Sequence, residues 1–61
     1  MANLTSKELT ALEDNLGMEQ LLVAKYRSIA GTTTDPALKT KCEQIAQKHQ
    51  EHYKRLLSHL S

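Results

Sequence analysis

Near the middle of the chain, Gly31-Thr32-Thr33-Thr34-Asp35-Pro36 separates two stretches of nearly equal length whose apolar residues return every three or four positions. Proline lacks a backbone N–H and has a fixed φ, so it fits the first position of a helix without loss. An aspartate just before it can accept from the free N–H groups of the first turn. Asp35-Pro36 therefore reads as a helix start, with a second helix expected over about 36–60. Gly31 stands where a left-handed C-terminal cap is wanted, and the threonines after it are poor helix formers that satisfy turn backbone groups. The first helix is thus expected to end near residue 30, with a turn over 31–35. Two helices of about 25 residues, each roughly 37 Å long, joined by so short a turn must run antiparallel.

The first helix has an equally local start. Thr5 is its natural N-cap, Glu8 three positions on closes a capping box, and Leu4 and Leu9 fall at the two positions of a hydrophobic staple. This places the helix at about 6–30. Its apolar stripe steps through Leu9, Leu12 and Leu16 and then, past Glu19, through Val23, Tyr26 and Ala30. Met18, Leu22 and Ile29 widen that stripe on one flank, so more than one neighbouring helix is expected. Gly17 costs about 1 kcal/mol relative to alanine, but the stripe keeps its phase across it and a continuous helix is expected.

A chain of 61 residues has difficulty burying enough apolar surface to offset the entropy of ordering itself, and small folds are supplemented by disulfides, metals or partner subunits. A single cysteine excludes an internal disulfide. Each helix of a lone hairpin covers only one side of the other. The expected fold is therefore all-α: a two-helix antiparallel hairpin, 1–61, dimerising with two-fold symmetry into a four-helix bundle. Charges of both signs are interspersed around a net +1, which gives no footprint for nucleic acid or a membrane surface. No apolar run reaches bilayer length and no signal-peptide pattern opens the chain, so cytoplasmic synthesis is expected. Glu8, Glu13 and Asp14 should lie alongside Lys48, Lys54 and Arg55, where surface pairs set register more than stability.

In the second helix Cys42, Ile45, His49, His52 and Leu56 follow one face, so two histidines stand where a core wants leucines. Folding the hairpin about its turn pairs positions whose numbers sum to about 67 or 68. Tyr26 then meets Cys42, Val23 meets Ile45, Leu16 meets His52, and Glu19 lies level with His49. Histidines three apart on a helix can reach one point, and a charge on a seam needs a partner or a metal. Glu19, His49 and His52 are accordingly candidate metal ligands, for zinc or iron. The other reading is a hydrogen-bonded Glu–His pair that fixes register, with His52 partly wet and no cofactor. Cys42 reads as a small core residue, Tyr26 and Tyr53 as core aromatics with hydroxyls on polar partners, and His59 as a solvated residue near the helix C-terminus. No phosphate loop and no nucleophile–base–acid set is present, so no enzyme activity is expected.

The runs Leu4-Thr5-Ser6-Lys7-Glu8-Leu9, Leu12-Glu13-Asp14, Glu19-Gln20 and Lys25-Tyr26, together with Asp35-Pro36-Ala37-Leu38-Lys39, Cys42-Glu43-Gln44-Ile45-Ala46 and His49 to Tyr53, resemble the short spore coat proteins of clostridia-like bacteria. These are similar to the Coat F family, whose fold is a ferritin-like helical bundle. The resemblance implies a half-bundle that dimerises, a structural role in sporulation, other spore coat proteins as partners and a final location in the spore coat. A small helical-hairpin regulator of sporulation is an alternative from the same setting. Ferritin-like di-iron sites use a glutamate from each of two helices and Glu-x-x-His from the others. Glu19 matches the first requirement and His49 the histidine of the second, but Ala46 stands where the second carboxylate belongs. That departure argues against a vestigial ferritin-like oxidase and leaves zinc, or no metal, as the better fit.

Overall fold

A computed structural model describes residues 4–60; the lead-in 1–3 and Ser61 lie outside them. Two α-helices make up the fold, α1 over Ser6–Thr32 and α2 over Pro36–Leu57, followed by a 3₁₀ turn over Ser58–Leu60. They pack side by side as an antiparallel hairpin whose Cα atoms span 46 × 15 × 11 Å.

Both helix starts are fixed by their own residues. The Thr5 hydroxyl accepts from the Glu8 N–H at 3.1 Å while the Thr5 N–H donates to Glu8 Oε1 at 3.0 Å, so two otherwise free donors are satisfied reciprocally. At α2, Asp35 Oδ1 accepts from the Ala37 and Leu38 N–H groups at 2.9 and 3.3 Å. Pro36 follows at the first helical position.

The end of α1 departs from expectation. The helix runs two residues beyond 30, through Gly31 and Thr32, and Gly31 does not take the left-handed conformation. The Thr32 hydroxyl donates back to the Ser28 and Ile29 carbonyls at 3.1 and 3.3 Å, and the Thr33 N–H reaches the Ile29 carbonyl at 2.9 Å. These bonds satisfy the terminal acceptors that a glycine cap would otherwise serve. The Ala30 carbonyl, in a last turn with no basic residue of its own, accepts from Lys39 Nζ at 3.1 Å across the turn. The turn proper shrinks from 31–35 to 33–35, and α2 ends at Leu57 rather than 60, tightening into the 3₁₀ turn.

The seam between the helices follows alternating steps of four and three: Leu12, Leu16, Glu19, Val23, Tyr26 and Ala30 on α1, against Cys42, Ala46, His49, Tyr53 and Leu56 on α2 and Leu60 in the 3₁₀ turn. Each of these is buried or half-buried. Ala46, not Ile45, is the buried residue of its turn, at 2% exposure, and His52 stands on the exposed flank. The buried core is Val23, Ala30, Cys42 and Ala46, with no large side chain fully enclosed. Two alanines in that set let the backbones approach, but so small a core buries little.

The two sides of the hairpin differ. By helical periodicity, Leu22 and Ile29 of α1 share one side with Leu38 and Ile45 of α2. Leu38 is 44% exposed and Met18, at the edge of this side, 58%. The opposite side presents Gln20, Arg27, Lys39, Glu43, Gln47 and Gln50 around two shallow grooves. Among the described residues no helix is long and apolar enough to cross a membrane.

Candidate functional site

Glu19, His49 and His52 come together in the middle of the hairpin. Glu19 projects from α1 at a seam position, and the two histidines stand one turn apart on α2. His49 Nδ1 lies 2.6 Å from Glu19 Oε1, and His52 Nδ1 lies 3.2 Å from Glu19 Oε2. A carboxylate can only accept, so the Nδ1–H of His49 donates to it. The glutamate thus grips two rings with its two oxygens. Exposure grades outward across the cluster, from 15% for the Glu19 side chain through 24% for His49 to 48% for His52. One donor atom from each residue falls within 4.8 Å of the others.

Tyr26 belongs to the cluster as well. Its ring stacks on that of His49, with centroids 6.2 Å apart and planes 13° from parallel, while His52 meets His49 edge-on at 5.7 Å. Lys25 Nζ lies 5.7 Å from the centroid of the Tyr26 ring. The stack of Tyr26 on His49 follows from the direction of helical side chains, which lean toward the N-terminus of their own helix. In an antiparallel pair this tilts facing side chains toward each other along the axis, so partners sum to more than 68. Tyr26 with His49, Glu19 with His52, and Tyr53, whose hydroxyl accepts from Gln20 Nε2 at 3.3 Å, all follow that rule. The tilt was available from the sequence once the antiparallel arrangement was assumed.

The remaining candidates are placed separately. Cys42 is buried at 3% exposure with a free thiol. His59 is exposed at the C-terminal turn. Among the described residues, no ion pair joins Glu8, Glu13 or Asp14 to Lys48, Lys54 or Arg55. Glu19 with the two histidines, Gln20 with Tyr53 and the stack of Tyr26 on His49 tie one helix to the other at mid-length instead.

A ferritin-type di-iron centre does not fit here. The position where its second carboxylate would stand is Ala46, whose methyl is packed into the interhelical contact at 2% exposure, leaving α2 with imidazoles alone beside Glu19. What the cluster offers is two nitrogens and one carboxylate from two rigid helices. Compared with protein families, curated proteins and solved structures, the chain finds no match, so the fold and the cluster stand on this chain's own residues.

Proposed function

We propose that this chain is a structural association module: two hairpins pair through their apolar sides to complete a homodimeric four-helix bundle, and the bundle serves as a building unit of the bacterial spore coat. The observation that carries the pairing is the contrast between a minimal core, Val23, Ala30, Cys42 and Ala46, and the apolar side beside it, where Leu38 is exposed and Leu22, Ile29 and Ile45 are only half-buried. A second copy suits that side because it supplies the same apolar stripe in reverse. A net charge of only +1 sets little repulsion against self-association. A face of 46 by 15 Å covered on both copies comes to roughly 1,400 Å² of contact, within the range of stable interfaces. The spore coat assignment rests on the resemblance of the Asp35-Pro36-Ala37-Leu38-Lys39 and Cys42-to-Ala46 runs to the short coat proteins.

Sedimentation equilibrium at micromolar concentration tests the pairing, and a mass twice 6.9 kDa is expected. Leu22→Asp with Ile45→Asp should convert the dimer to an unfolded or weakly helical monomer. A wild-type chain that unfolds cooperatively as a monomer overturns the proposal. Fractionating spores and probing the coat layer with an antibody to the chain tests the location; recovery in the mother-cell cytosol alone would refute it.

A further inference from the structure

The geometry points to a mononuclear zinc site formed within each protomer by Glu19, His49 and His52, in which the ion clips α1 to α2. Zinc takes nitrogen and carboxylate ligands at about 2.0–2.2 Å in tetrahedral geometry, which sets neighbouring donor atoms roughly 3.3 Å apart. The Glu19 oxygens already lie 2.6 and 3.2 Å from the two Nδ1 atoms, and a donor from each residue falls within 4.8 Å of the others. Side-chain rotation alone closes such a set around an ion; neither helix has to move.

The elements are suited to the task. His49 and His52 are held one turn apart by the helix itself, and the third donor comes from a facing helix. The stacked Tyr26 ring restricts His49. Two imidazoles with one carboxylate favour a borderline divalent ion over calcium or magnesium, which take oxygen donors. Three protein ligands leave a fourth position for water.

Coordination replaces the hydrogen bonds now made to the carboxylate. The proton on each coordinating Nδ1 passes to Nε2 of the same ring, or to solvent where the ring carries both, and the freed lone pair binds the ion. Nothing is oxidised or reduced. The ion's bonds to Glu19, His49 and His52 replace the two contacts that now join the carboxylate to the rings.

The test is zinc binding to the full chain, prepared without an affinity tag, measured by competition with a chromophoric chelator, with cobalt absorption as a readout of coordination geometry. One zinc per chain and an intense tetrahedral cobalt spectrum are expected. His52→Gln leaves the closer His49–Glu19 contact in place and should still fold, yet it should weaken zinc by at least the 10- to 100-fold that loss of even an outer-shell partner costs. His59→Gln, remote from the cluster, should leave affinity unchanged. All three ligands lie in one protomer, so the stoichiometry is one per folded chain whatever its oligomeric state, and helical circular dichroism of the same samples distinguishes a chain that has not folded from a folded one that binds no zinc. Equal affinity in wild type and His52→Gln, an octahedral cobalt spectrum, or a loss equal to that in His59→Gln would each overturn the site.

Discussion

Gly17 lies inside α1, with no positive φ, and the space where a Cβ would stand holds no heavy atom within 4 Å beyond its immediate helical surroundings. Replacing it by alanine therefore adds no clash within the protomer and removes backbone freedom from the unfolded chain. The gain should be about 1 kcal/mol per chain. If folding and pairing are one transition, each dimer gains twice over, about 2 kcal/mol, or roughly 30-fold in its equilibrium constant. Urea denaturation followed by far-UV circular dichroism should show a higher midpoint with an unchanged m-value. Repeating the measurement across protein concentrations separates the per-chain from the per-dimer gain. Position 17 lies about 140° around the helix from Leu22, by five residues at 3.6 per turn, and so away from the side proposed to meet a second copy. A neutral or destabilising Gly17→Ala, present at high protein concentration and absent at low, would mean that another copy packs against position 17, and the assignment of the apolar side as the interface would be wrong.

Other perturbations probe the local devices. Asp35→Ala removes the acceptor for two N–H groups at the start of α2 and should cost about 1–2 kcal/mol in denaturant stability, with Asp35→Asn recovering most of it. The Glu8 carboxyl is held below its ordinary value by the Thr5 backbone N–H and then by the Thr5 hydroxyl. A carboxyl depressed in the folded state contributes stability that is present above its unfolded value and lost as pH falls through the folded one. Melting temperature against pH should accordingly fall less steeply on the acid side in Glu8→Gln than in wild type. Ala46→Leu forces extra volume into the tightest part of the seam and should cost about 1–3 kcal/mol, measured by thermal unfolding; a neutral result would show that the helices are not held at this spacing.

What could be read from the sequence divides along a physical line. Both helix starts were legible because Thr5 with Glu8, and Asp35 with Pro36, satisfy donors within three residues of themselves. The end of α1 was not, since a threonine hydroxyl returning to the Ser28 and Ile29 carbonyls did the work assigned to a left-handed glycine. On α2 the stripe was read one position off at two turns. Ile45 is more apolar than Ala46, but close approach of the two helices there selects the smaller side chain for the seam; at the next turn Tyr53 takes the seam position, its hydroxyl reaching Gln20, and His52 stands on the flank. The cluster of Glu19 with both histidines survived that slip because His49 is common to both stripes and the glutamate has an oxygen for each ring. Tyr26 was missed as its fourth member because pairing by level ignores the lean of side chains along the axis.

Cys42 provides a clock for helix separation. It is the chain's only thiol, and at 3% exposure a disulfide reagent cannot reach it while α1 and α2 stay in contact. Its rate of modification therefore reports how often the hairpin opens, and the ratio of that rate to the rate in the unfolded chain is the opening equilibrium itself when closing is fast. Each event that clamps the helices, a second copy or an ion at Glu19, must slow that clock, whereas events confined to the chain ends must leave it running at the same pace.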